Sequence, residues 1–253
     1  MIQPTHQHPY RRAKVIIFDI DNMLYNQTRD MLAEAGVAFL GAVKSELGGT
    51  NNLTDMQIIQ AGMAALREHG DAYTPEGCQN QNPRTIHAKM HTAWQATTIQ
   101  PNATLASMLG ELKAQGIQLY AYSDAHQDWS RRVLNQLGVS DIFPDENLIT
   151  RDKLKTFCTK HTGIEGFEYI KEHSGAAYNE MVLADDSPRN LKNAKALGIT
   201  PALNQRGEKG DGADITDHHY SSALDFIRDF NQQRLPMASA IRALATRTCP
   251  TRT

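Results

Sequence analysis

The sequence predicts an α/β protein, a Rossmann-like parallel sheet with an all-helical block inserted after its first strand. Three observations carry that expectation. Val15 to Phe18 is an unbroken run of β-branched and aromatic residues, the signature of a strand buried on both faces, as parallel strands are. Further short apolar runs, Ile117 to Tyr122 and Met181 to Ala184, alternate with helical patterns, as βαβ crossovers require. Between the first two runs, residues 28–100 show helical periodicity only.

Taken in order, residues 1–10 carry no periodic pattern and read as a tail. After the first strand, Met31, Leu32, Ala35, Phe39, Leu40, Val43 and Leu47 mark one face of a helix from Thr28 to Leu47, closed by Gly48 and Gly49. Thr54 and Gln57 have capping-box spacing before a second helix that stops at Gly70. A loop over Asp71 to Pro83 leads to a third helix over Arg84 to Thr97. Pro101 and Asn102 open a helix through Leu105, Leu109 and Leu112 that Gly116 stops. The strand over Ile117 to Tyr122 ends at Ser123 and Asp124, and a helix over Trp129 to Leu137 follows. Then come a helix over Ile164 to His173, the strand ending on Asp185 and Asp186, and a helix from Pro188 to Leu197. A strand over Ile199 to Leu203 and a helix over Ser222 to Phe230 complete the pattern. Gly207 to Gly212 lacks phosphate-loop spacing and reads as a turn. Arg234 to Thr253, with four arginines and no acid, reads as a frayed tail.

Composition narrows the function. In 253 residues, 26 basic and 28 acidic side chains nearly cancel, so neither nucleic acid nor a membrane surface is an expected partner. The polar, histidine-containing start does not resemble a signal sequence, no apolar run is long enough for a span, and a cytoplasmic location is expected. Cys78, Cys158 and Cys249 have no paired spacing, so free thiols are expected. His87 and His91 are spaced i, i+4, but Ala88 stands where the helical zinc motif needs Glu, so no metal role follows.

The strand ends are more informative. Side chains alternate along a strand, so Asp19 and Asp21 project to one side, at the edge where open α/β sheets bind ligands. If the strands are neighbours, Ser123, Asp185 and Asp186 join them. Several carboxylates in one crevice demand a cation, and oxygen ligands without His or Cys suit Mg²⁺ better than zinc.

These residues resemble the haloacid dehalogenase (HAD) superfamily of phosphohydrolases. Residues 18–25, FDIDNMLY, look like its first motif, Tyr122-Ser123-Asp124 like its second, and residues 183–190, LADDSPRN, like its fourth in the double-aspartate form. Lys160 fits the third, preferred over Lys153, Lys155 and Lys171 because it precedes a Thr162 N-cap and the helix from Ile164. The first and fourth motifs are most similar to the pyrimidine 5′-nucleotidase branch. The resemblance implies Asp19 as nucleophile and Asp21 as acid and base. It implies Ser123, Asp124 and Lys160 around the substrate phosphate. Asp19, Asp186 and the main-chain carbonyl of Asp21 would hold Mg²⁺, with Asp185 in or beside the coordination shell. It also implies a HAD-like core over residues 11–27 and 101–233, and a substrate-selecting helical cap over residues 28–100. The expected substrate is a small phosphorylated metabolite, such as a nucleoside 5′-monophosphate.

Met23 stands where the family has Thr, Asp124 where the branch more usually has Asn, and His161 where Pro is usual. No catalytic group is lost, so a working but slow or specialised enzyme is expected. The competing readings are a binding or regulatory protein that keeps the fold, and a phosphomutase using the same aspartate pair. Dehalogenation is disfavoured by the second acid, Asp21.

Overall fold

A computed structural model describes residues 10–48, 52–95, 98–205 and 214–234. The expected turn at 207–212, the termini, Cys249, Gly49 and the end of the third predicted helix lie outside them. The strands β1 (Val15–Phe18), β2 (Gln118–Ser123), β3 (Leu148–Thr150), β4 (Met181–Asp185), β5 (Thr200–Asn204) and β6 (His219–Tyr220) form one parallel sheet in the order β3-β2-β1-β4-β5-β6. The chain winds outward from β1 to β3, then returns to lay β4 on the other side of β1. That reversal opens a crevice at the carboxyl ends of β1 and β4, where doubly wound sheets bind ligands. Register fixes which residues meet there, because Phe18 lies opposite both Ala121 of β2 and Ala184 of β4.

All four residues of β1 are completely buried. Alternate residues feed two cores, Ile16 and Phe18 on one face of the sheet, Val15 and Ile17 on the other. Burying a side chain of this size contributes about 1.5–3 kcal/mol, so β1 fastens both helical layers to the sheet.

The helices are α1 (Arg29–Leu47), α2 (Asp55–His69), α3 (Pro83–Ala93), α4 (Ala103–Ala114), α5 (Gln127–Leu137), α6 (Glu165–Ser174), α7 (Pro188–Leu197) and α8 (Ala223–Arg234). Thr28 caps α1, and Thr54 with Gln57 forms the expected capping box of α2. Among the described residues, no helix is long and apolar enough to cross a membrane. Cys78 and Cys158 are free thiols.

Several expectations need correction. The third helix ends at Ala93, because Trp94 turns to an extended conformation and stacks its indole on that of Trp129, with ring centroids 3.7 Å apart and planes within 9°. The fifth helix starts at Gln127, capped by the His126 ring. Thr162 is not the N-cap of α6: that position is Ile164, without a side-chain bond. The Thr162 hydroxyl instead accepts from the Thr159 amide and closes a turn (3.1 Å). Strands β3 and β6, of three and two residues, are additions to the expected sheet.

Candidate active site

Asp19 follows β1 directly, and its amide donates to the Ala184 carbonyl (2.9 Å), which extends the sheet pairing by one bond and holds the carboxylate beside the end of β4. The Lys160 ammonium donates to the carboxylate of Asp19, to Asp185 Oδ2 (2.8 Å) and to the Tyr122 carbonyl (3.0 Å). Lys160 is 1% exposed and Asp185 not at all, so this contact is formed away from water. The turn that carries Lys160 is held at both ends. Its amide donates to Asp124 Oδ1 (2.9 Å), and Asn193 of α7 donates to the carbonyls of Lys160 (2.7 Å) and Gly163 (2.9 Å).

Asp185 also accepts from the Ser187 amide (2.8 Å) and from the Asn190 amide group on both oxygens (3.1 Å). One oxygen each of Asp19, Asp185 and Asp186 lie within 4.8 Å of one another. Asp21 sits across the crevice. Its Oδ1 accepts from the Tyr25 hydroxyl, Gln27 Nε2 (3.1 Å) and Trp129 Nε1 (3.1 Å), while Oδ2 lies 3.5 Å from Ser123 Oγ. Asp19, Asp21, Ser123, Asp124, Lys160 and Asp186 line one cavity of about 340 Å³.

Burial raises the Asp19 carboxyl well above the usual carboxylate range; Lys160 opposes that shift, and Asp185, Asp186 and Asp21 reinforce it. For Lys160, burial works against the charge, but Asp185 and Asp19 outweigh it and keep the ammonium protonated. Four carboxylates face one ammonium. That surplus of negative charge, with oxygen ligands alone, suits a hard divalent cation.

The structure thus brings Asp19, Asp21, Ser123, Asp124, Lys160, Asp185 and Asp186 together at one end of the sheet. Asp124 lines the cavity, and its Oδ1 accepts from the Lys160 amide. Burial raises its carboxyl, with Lys160 opposing. His87 Nε2–H donates to the Asp124 carbonyl (3.0 Å) and His91 Nδ1–H to the His87 carbonyl (2.8 Å). Met23 packs in the core.

Sequence reasoning assigned no part to Tyr25, Gln27, Trp129, Asn190 or Asn193. Tyr25 and Asn190 stand inside the first and fourth motifs, a signal that was available. The others carry no local signal.

The roof of the crevice comes from the end of α2. Leu66 and Gly70 line the cavity. Arg189 donates to the carbonyls of Arg67 (3.1 Å) and Glu68 (3.5 Å), and His161 Nε2–H to that of His69 (2.8 Å). Gly70, at φ +71°, permits this approach, since a Cβ there would lie 2.6 Å from Arg189 Nη1.

A sheet with this strand order, carrying acids at the ends of its two central strands and a buried lysine between them, defines an α/β protein with a hydrolase-like crevice. Residues 16–203 match the family described as haloacid dehalogenase-like hydrolase, and the chain belongs to that family. Its fold is also similar to solved structures. A hydrolase from Pseudomonas syringae matches with a TM-score of 0.60 at 16% identity, over 87% of this chain and 98% of that one. A HAD phosphatase from Thermococcus onnurineus matches with a TM-score of 0.58 at 17% identity, over 88% and 100%. A predicted phosphoglycolate phosphatase from Haemophilus somnus matches with a TM-score of 0.57 at 17% identity, over 86% and 98%.

Proposed function

We propose that this HAD-like hydrolase is a Mg²⁺-dependent phosphomonoester hydrolase that works through a phosphoryl group carried on Asp19. The observation that carries the reading is the convergence of Asp19, Asp21, Ser123, Lys160 and Asp186 on one small cavity. The oxygen donors of Asp19 and Asp186, with the main-chain carbonyl of Asp21, fit Mg²⁺, and Asp185 stands beside them. When bound, the ion supplies the charge neutralisation that lets a carboxylate approach a phosphate dianion.

Asp19 attacks phosphorus, the ester P–O bond breaks, and Asp21 gives its proton to the departing alkoxide. The Asp21 carboxylate then takes a proton from water. The hydroxide so formed attacks the phosphorus, which frees Asp19 and releases inorganic phosphate. Ser123 donates to a phosphoryl oxygen, and Lys160, held by Asp185, balances charge on Asp19 and the phosphoryl group. Asp124 holds the Lys160 turn at the phosphate's edge. Residues 28–100 serve as a cap that excludes water and selects the substrate, on a core of residues 11–27 and 101–233. The first motif supports a nucleoside 5′-monophosphate as substrate, and a cytoplasmic location suits such a metabolite.

The test is phosphate release from nucleoside 5′-monophosphates, small phosphorylated acids and an aryl phosphate, with Mg²⁺ and with chelator. Mg²⁺-dependent release that Asp19→Asn abolishes is expected. Activity unaffected by chelator or by that substitution ends the reading, and transfer to a second hydroxyl without release identifies a mutase.

A further inference from the structure

Asp21 is fastened chiefly through one oxygen. Its Oδ1 accepts from Tyr25, Gln27 and Trp129, while Oδ2 faces Ser123. Three donors occupy the lone-pair sites of Oδ1, so a proton can be carried only on Oδ2. The Trp129 indole is fully buried and stacked face to face on Trp94, and these are the two tryptophans of the chain. A stacked, buried ring gives its N–H a fixed direction, unlike the hydroxyl of Tyr25 or the long side chain of Gln27.

We propose that Trp129 is a positioning residue for Asp21, with its own ring set by Trp94 at the end of α3. The inference rests on Asp21 being the acid and base of the reaction. A carboxylate that shuttles a proton twice per turnover must present the same oxygen each time. The indole N–H denies Asp21 the rotation that would exchange Oδ1 and Oδ2. The helical block thereby reaches the chemistry through two aromatic rings.

A matched pair of variants tests this. Trp129→Phe and Trp94→Phe each remove an indole from the same stack, but only the first removes a donor from Asp21, because Trp94 Nε1 has no hydrogen-bond partner among the described residues. Trp129→Phe should lower kcat by about tenfold or more with KM changed less than about twofold, the scale of one lost hydrogen bond to a charged group. Trp94→Phe keeps an aromatic face for Trp129 to stack on and should leave kcat within about threefold, well short of the loss on cutting that bond. Equal losses in both variants, or none in either, would overturn the proposal.

A second readout does not need turnover. In the Trp94→Phe protein, Trp129 is the sole indole, and replacing Asp21 by Ala removes the negative charge at its pyrrole N–H. Its emission maximum should shift to shorter wavelength; an unmoved maximum would overturn the contact itself. If the wild type releases no phosphate from any ester, the acid–base role of Asp21 fails, and the emission shift alone decides whether the anchor exists.

Discussion

Lys160 and Asp19 stand 141 residues apart in the chain, yet the ammonium of one donates directly to the carboxylate of the other at the buried end of the sheet. Nothing local brings them together. The strand order places Asp19 between β2 and β4, and a turn held by Asp124 and Asn193 presents the lysine from above.

Removal of that lysine should be costly in two ways. Lys160→Met leaves Asp19 and Asp185 facing each other without their cation, and losing one partner of a buried pair costs about 3–5 kcal/mol. Turnover should fall by about 10²–10³, the scale for a lost electrostatic stabiliser. Lys160→Arg should not restore activity, because a planar fork cannot occupy the site of a compact ammonium. Denaturant titration and steady-state kinetics of both variants check this.

A second, largely buried pair ties the loop after α2 to the segment after β3. Arg151 donates to both oxygens of Asp71 (2.9 and 2.7 Å), and its guanidinium lies 4.0 Å from the centre of the Phe157 ring. Arg151→Met should destabilise the fold by about 3–5 kcal/mol. Replacing Asp71 by Asn together with Arg151→Met should recover part of that loss. A double-mutant cycle by urea unfolding measures the coupling.

Gly70 should control how the end of α2 sits over the crevice. Gly70→Ala places a Cβ against Arg189 and puts a chiral residue at positive φ, which costs about 1–2 kcal/mol. Arg189→Ala removes the same contacts to Arg67 and Glu68 without that backbone cost. Both should raise KM severalfold and change kcat less, while Gly70→Ala alone loses stability. Unchanged KM in both variants would show that this junction does not shape the site.

The histidines of α3 should make the fold sensitive to mild acid. Burial holds the His91 imidazole down to about 4, and burial with the neighbouring His91 lowers that of His87 too. Unfolded, each takes up a proton near 6.5, so between there and about 4 the unfolded state binds more protons. Stability is therefore level above that range and falls as pH drops through it, at about 1.4 kcal/mol per pH unit for each histidine. His91→Gln should remove one histidine's share of the slope, as read from unfolding midpoints across that range.

Much of this molecule is legible in its sequence. β1, β4 and α7 can be read because each joins a clear apolar pattern to a capping or breaking residue, and the acids stand out because they end apolar runs. β3 and β6 are too short for any periodicity to show. The end of α3 escapes such reading because Trp94 leaves the helix to meet Trp129, and stacking across the fold leaves no trace in local pattern. For the same reason the Trp129 partner of Asp21 and the Arg151 partner of Asp71, 108 and 80 residues away in the chain, cannot be read from spacing.

The most direct measurement is acid quenching of the enzyme during turnover with Mg²⁺ and a phosphomonoester, followed by mass spectrometry of its peptides. A phosphoryl group on the peptide containing Asp19, absent in Asp19→Asn, is the predicted result. Steady release of phosphate with a phosphoryl group on another residue, or with full activity in Asp19→Asn, would contradict the account.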